Sequence, residues 1–177
     1  MSQATVKQAL LKTIEGIKSN PQSSNVVFRA NTRLEEDVRC SINIREFSPI
    51  MIDEPPELGG QNSAVNPVEI VLGALGTCQE IMYSAYASVM DIELESVEVN
   101  ARGFLDLKGL FGIDENVPPG FNRITFDTAI SSPADSAALS QLVATVESHC
   151  PVMDILTRPM SVKGNVTING QKLENAA

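Results

Sequence analysis

The chain has 177 residues, 43% apolar and 20% charged, a composition that sets it outside the disordered and fibrous classes and gives it enough length for a real core. Its 13 Lys and Arg against 22 Asp and Glu leave a net charge of −9, a field that opposes a phosphate backbone and argues against nucleic-acid binding. Three cysteines and one histidine, with no C-x-x-C pair, argue against a disulfide framework and a zinc site and for a reducing, cytoplasmic compartment. No run approaches the roughly 20 apolar residues of a membrane helix, and the polar start at Ser2-Gln3 is unlike a signal peptide.

Ser2 is placed to cap a first helix, in which Val6, Ala9, Leu10, Ile14 and Ile17 recur at helical spacing until Asn20-Pro21 ends it. Alternation then predicts strands over Asn25–Leu34 and Val38–Phe47, joined by the charged turn Glu35-Glu36-Asp37 as a hairpin. Ser48–Val65, with Pro55-Pro56 and Gly59-Gly60, reads as a long loop, and its acidic residues Asp53, Glu54 and Glu57 as a solvated cluster of defined shape.

The next helix carries the strongest signals. Asn66 suits the N-cap, Pro67 the first helical position, and Glu69 the third position of a capping box. The helix is expected to run to about Met90 and is apolar around most of its circumference, so it belongs in the middle of the protein. Gly73, Ala74 and Gly76 permit close approach of a neighbouring element. Strands over Glu93–Leu107 and Asn122–Ile130 follow, separated by the Gly- and Pro-rich stretch Lys108–Phe121. A helix opened by Ser132-Pro133 runs to His149, a short one covers Pro151–Thr157, and a last strand covers Met160–Ile168. The tail Asn169–Ala177 is polar and expected to fray. This order, with hairpin-like connections, defines an α+β fold with largely antiparallel strands, and nothing splits the 177 residues into more than one domain.

Thiolate chemistry needs an ionised sulfur stabilised by a helix N-terminus or a nearby cation. Cys150 directly precedes Pro151, at the expected N-cap of the short helix, where the dipole favours negative charge. Cys78 lies about three turns into its helix, out of reach of that dipole. It therefore needs an arginine from elsewhere, with Arg29 and Arg33 on the first hairpin strand as candidates beside Arg39 and Arg45. Each thiol also has a plain packing role open to it, since free cysteine is among the most buried residue types. Cys40, alternating with Val38 and Ile42, reads as core; His149 reads as a dipole-favoured helix end, and Glu69 as a cap.

The pattern Asn66-Pro67-x-Glu69 leading to Ala74-Leu75-x-x-Cys78 on a central helix, with a second cysteine in Cys150-Pro151-Val152, resembles the OsmC/Ohr family of osmotically inducible and organic-hydroperoxide-resistance proteins. The resemblance spans roughly Asn25 to Ile168, and Pro55-Pro56-Glu57-Leu58-Gly59-Gly60 is most similar to its OsmC-like branch. It implies an intertwined homodimer with two central helices in the middle and sheets built from both chains. It implies Cys78 as the peroxidatic cysteine and Cys150 as its resolver, with Arg33 or Arg29 as the thiolate stabiliser. It implies no cofactor, an organic hydroperoxide as substrate, and a dithiol reductant such as a lipoylated protein. The chain departs from the pattern at Val68, which stands where the family places a glutamate; Glu69 is about 180° around the helix from Cys78. That departure keeps open a non-catalytic dimer that binds a small hydrophobic ligand, and a redox sensor acting through the same two thiols.

Overall fold

The computed structural model of the protein describes residues 2–173. Helix α1 (Gln3–Ser19) is capped by Ser2, whose side chain accepts from the Thr5 N–H. Its first turns are tied to the end of the central helix: Gln3 donates to the Ile92 carbonyl at 2.9 Å and accepts from the Leu94 N–H at 3.4 Å, while Lys7 pairs with Asp91.

A three-stranded antiparallel sheet follows, with β1 (Asn31–Glu36), β2 (Arg39–Asn43) and β3 (Ile50–Ile52) in the order β1-β2-β3. The expected hairpin is there but shorter. Residues 25–30 stay irregular, with Phe28 90% exposed, because no strand among the described residues lies beside them to complete a ladder. β2 stops at Asn43 since Arg45 takes a left-handed backbone (φ 50°) and the Phe47 N–H closes a turn onto the Ile44 carbonyl. The chain then returns as β3, inside the stretch expected to be wholly loop, pairing Cys40 with Ile52.

The central helix α2 (Pro67–Val89) begins as its sequence dictates, with Asn66 accepting from the Glu69 N–H and the Glu69 carboxylate accepting from the Asn66 N–H, both at 2.9 Å. It packs on α1, on the antiparallel pair β4 (Ser96–Leu105) and β5 (Phe121–Ser131) through β4, and on α4 (Ser136–His149) and α5 (Pro151–Thr157). The short α3 (Leu107–Leu110) lies in the connection between β4 and β5. Asp135, not Ser132, caps α4 by accepting from the Ala138 N–H, so the helix opens later than Ser132-Pro133 suggested. Tyr83 and Ala87 of α2 meet Leu142 and Val146 of α4 in the core, with Ile92 beside them.

The strand expected over Met160–Ile168 is mostly irregular. Only β6 (Thr167–Ile168) and β7 (Gln171–Lys172) pair, around the turn Asn169-Gly170 with both residues at positive φ. The first part of the expected frayed tail is thus hairpin; residues 174–177 lie outside the described residues. Helices with antiparallel sheets make an α+β fold, and no described helix is long and apolar enough to cross a membrane.

Candidate functional site

Two contacts fix the face that α2 turns to its neighbours. Gly76 lets the helix lie on β4, where a Cβ would stand 3.5 Å from the Val99 carbonyl oxygen, and Glu80 accepts from the Val99 N–H at 3.2 Å. With Gly76 against the sheet, Cys78 stands at the edge of the buried face, half-buried. From the other side, α4 ends at His149 and Cys150 takes an extended backbone (φ −73°, ψ 114°) that allows Pro151 to start α5. α5 packs on α2.

This geometry brings Cys78 and Cys150 together. Both are free, and the Cys78 thiol lies within hydrogen-bonding and electrostatic reach of Cys150, which is 1% exposed. Cys150 is indeed the N-cap of α5, but its expected thiolate character does not follow. Burial pushes its thiol above the ordinary value and the Cys78 neighbour pushes the same way. The Met153 and Val152 N–H groups at the start of α5 offset only part of that rise. A seven-residue helix offers few aligned dipoles, and desolvation outweighs them.

The hairpin arginines are elsewhere. Arg33 lies on β1 opposite Ser41, in a strand whose residues are all exposed, and Arg29 lies in the irregular segment before it. Among the described residues, β1, β2 and β3 are not among the elements that pack extensively on α2. Glu69 is engaged in the cap, and Val68 stands at the start of α2. The His149 Nδ1 lies 2.9 Å from the Thr145 carbonyl oxygen and the ring tilts against Tyr86, which makes it a helix-end residue. Cys40 is half-buried on β2.

Two features escape the sequence reading, and a third is a cavity beside α2. Asp53 is buried, not solvated: its carboxylate accepts from the N–H groups of Glu54, Gln61 and Ser63 and from the Ser63 hydroxyl, which hold its pKa at about 2. Gln79 is 0% exposed, and neither its Oε1 nor its Nε2 has a partner. Its spacing of four from both Leu75 and Tyr83 was the available signal, since those positions share one helix face. Finally, Leu75, Phe121, Ile124, Phe126, Met153 and Leu156, together with the polar Asn122, Arg123 and Thr157, line a mostly apolar cavity of about 390 Å³. Leu75 is one turn before Cys78 and Met153 about one turn after Cys150, so the cavity adjoins both thiol-bearing helices. Gly103 shapes its wall, because a Cβ there would meet the Phe121 ring at 2.3 Å.

The chain belongs to the OsmC-like family: the model described as OsmC-like protein matches residues 60–164, which hold α2, both cysteines and the β4–β5 pair. Solved structures share the fold. The OsmC-like protein of Mycoplasma pneumoniae aligns over 76% of this chain and 89% of its own, with a TM-score of 0.65 at 18% identity. A putative osmotic stress induced and detoxification response protein of Psychrobacter arcticus covers 76% and 91%, at TM-score 0.61 and 15% identity. An organic hydroperoxide resistance protein OsmC of Legionella pneumophila covers 76% and 93%, at TM-score 0.58 and 19% identity. No curated protein matches the chain.

Proposed function

We propose that this protein is a cytoplasmic, cofactor-free thiol peroxidase that reduces organic hydroperoxides. The observation that carries this reading is the meeting of Cys78 with Cys150, one half-buried and the other enclosed. The Cys78 thiolate attacks the outer oxygen of the hydroperoxide; the O–O bond breaks and the alcohol departs with a proton, leaving Cys78 as a sulfenic acid. The Cys150 thiol then attacks the Cys78 sulfur, water leaves with the sulfenic hydroxyl, and a Cys78–Cys150 disulfide forms. A dithiol, such as that of a lipoylated protein, restores both thiols. The apolar cavity beside Leu75 and Met153 suits the organic part of the peroxide.

The working unit in this reading is a homodimer. The exposed β1 edge and the exposed segment around Phe28 are where a second copy adds strands, and its Arg33 or Arg29 supplies the cation at Cys78. The hydroperoxide-resistance name of the Legionella relative agrees with the substrate class.

One equivalent of tert-butyl hydroperoxide should remove about 2 Da per subunit as the disulfide closes, and Cys78→Ser should abolish turnover. Turnover by Cys78→Ser at the parent rate would sink the proposal. A second reading, a non-catalytic dimer binding a hydrophobic ligand in the cavity, draws on Val68 and on the protonated state that burial favours at Cys150. It expects no mass change with peroxide.

A further inference from the structure

We infer that, once the two cysteines are joined, the reducing dithiol enters at the Cys78 sulfur and expels Cys150, so that the mixed disulfide with the reductant forms on Cys78 alone. The place of this step in a cycle rests on the thiol-peroxidase reading; its regiochemistry rests on burial. A thiolate opens a disulfide by approaching one sulfur in line with the bond, on the side away from the sulfur it expels, so access decides which sulfur is attacked. Cys150 is 1% exposed, closed in at the α4–α5 junction, whereas Cys78 is half-buried at the edge of the covered face of α2. The enclosure of Cys150 is made by its own chain. A second subunit only removes further surface, so it does not open Cys150 to a reductant, and its arginine must sit beside Cys78 without covering the side of that sulfur opposite Cys150.

Access has to outweigh leaving-group preference here, because burial raises the Cys150 thiol and makes it a reluctant leaving group. When the Cys78–Cys150 bond breaks, the electron pair stays on Cys150, which the N–H groups of Val152 and Met153 at the start of α5 stabilise only in part. The departing thiolate takes up the proton that the attacking thiol released, the state its burial favours. The second thiol of the reductant then attacks the reductant's own sulfur in the mixed disulfide. It closes a reductant disulfide and releases Cys78 as thiolate. Two electrons pass from the dithiol to the protein, and both protein thiols are restored. The partner must therefore present its dithiol to α2, not to the α4–α5 junction.

The test uses the full chain, with its disulfide closed by diamide so that no peroxide is required. The oxidised protein is mixed with N-acetylcysteamine, a single-thiol probe that does not complete the second step, then quenched in acid, alkylated and mapped by mass spectrometry. The expected result is probe on Cys78 and alkyl label on Cys150, at least about tenfold over the reverse; probe mainly on Cys150, or shared evenly, overturns the inference. Should reclosure keep the adduct too scarce to map, the single-thiol variants decide. Cys78 in Cys150→Ser should take up an aromatic disulfide reagent at least about tenfold faster than Cys150 in Cys78→Ser, and equal rates overturn the inference. Failure of tert-butyl hydroperoxide to oxidise the parent removes the peroxidase reading and leaves the mapping result standing.

Discussion

Cys150 caps α5 and rests against Cys78, and burial outweighs the helix start in setting its acidity. The folded protein therefore holds a proton on Cys150 that the unfolded chain releases near the ordinary thiol value of 9.0. A group whose folded pKa is raised contributes stability that is fully present below the unfolded value and lost as pH rises through the folded one. The urea midpoint of the reduced parent should fall above roughly pH 9. Tyr83 is raised as well, by burial and then by the Glu147 charge, so some alkaline loss belongs to it. The informative quantity is the difference between parent and Cys150→Ala. That gap should narrow as pH rises, and a gap independent of pH would mean that Cys150 does not carry the shifted proton.

Glu69 sits one position past the place where the family pattern carries a carboxylate, and its carboxylate accepts from the Asn66 N–H. If it is only a cap, Asn66→Ala should cost about 1 kcal/mol in denaturant unfolding, with Glu69→Ala costing less, through loss of one or both reciprocal bonds. Peroxide consumption per folded molecule should stay at the parent level in Glu69→Ala. A selective loss of Cys78 reactivity there, with stability preserved, would give Glu69 a part in the site that its hydrogen bond does not explain.

The parts of the fold that the sequence made legible are those decided locally. The capping box of α2 and the N-cap position of Cys150 depend on residues within one turn, and both stand where their residue types place them. Strand limits depend on partners that are distant in sequence. Residues 25–30 alternate well enough for a strand but have no neighbouring strand among the described residues, while Ile50–Ile52 become one because β2 lies beside them. The same reasoning applies to the site. Residue contexts singled out Cys78 and Cys150, yet the dominance of burial over the dipole at Cys150 is a property of packing, absent from any short window. No short window assigns an arginine to Cys78: Arg33 is carried on β1 and Arg29 on the irregular segment before it, and β1 does not pack extensively on α2.

Asp53 gathers the loop after β3 around one carboxylate, with donors from Glu54, Gln61 and Ser63. Gly60 belongs to the same construction, since a Cβ there would lie 1.8 Å from the Glu54 carbonyl oxygen. A carboxylate held at about 2, against an ordinary 3.8, contributes stability above the ordinary value and loses it as pH falls through the folded value. The loop should therefore resist proteolysis at pH 5 and open as pH drops from about 4 toward 2. Asp53→Asn keeps the shape and removes the charge, and should admit cleavage within residues 53–63 already at neutral pH. Equal cleavage rates for parent and variant would remove Asp53 as the organiser of the loop.

Gln79 presents the opposite case, a fully buried amide with both polar atoms unpartnered between Leu75 and Tyr83 on the covered face of α2. Leaving such atoms unpaired costs about 1–3 kcal/mol, whereas an apolar side chain of the same shape carries no such penalty. Methionine matches glutamine in length and flexibility and fills the same space without the amide. Gln79→Met should therefore raise unfolding stability by roughly 1 kcal/mol, seen as a higher urea midpoint at an unchanged slope. A loss of similar size would show that the amide is satisfied in solution, by an enclosed water or by a state of the site that differs from the reduced pair. Repeating the measurement after diamide closes the Cys78–Cys150 disulfide separates these outcomes. A water bound in both states gives the same loss twice, while a partner tied to the state of the neighbouring thiol gives a loss in only one.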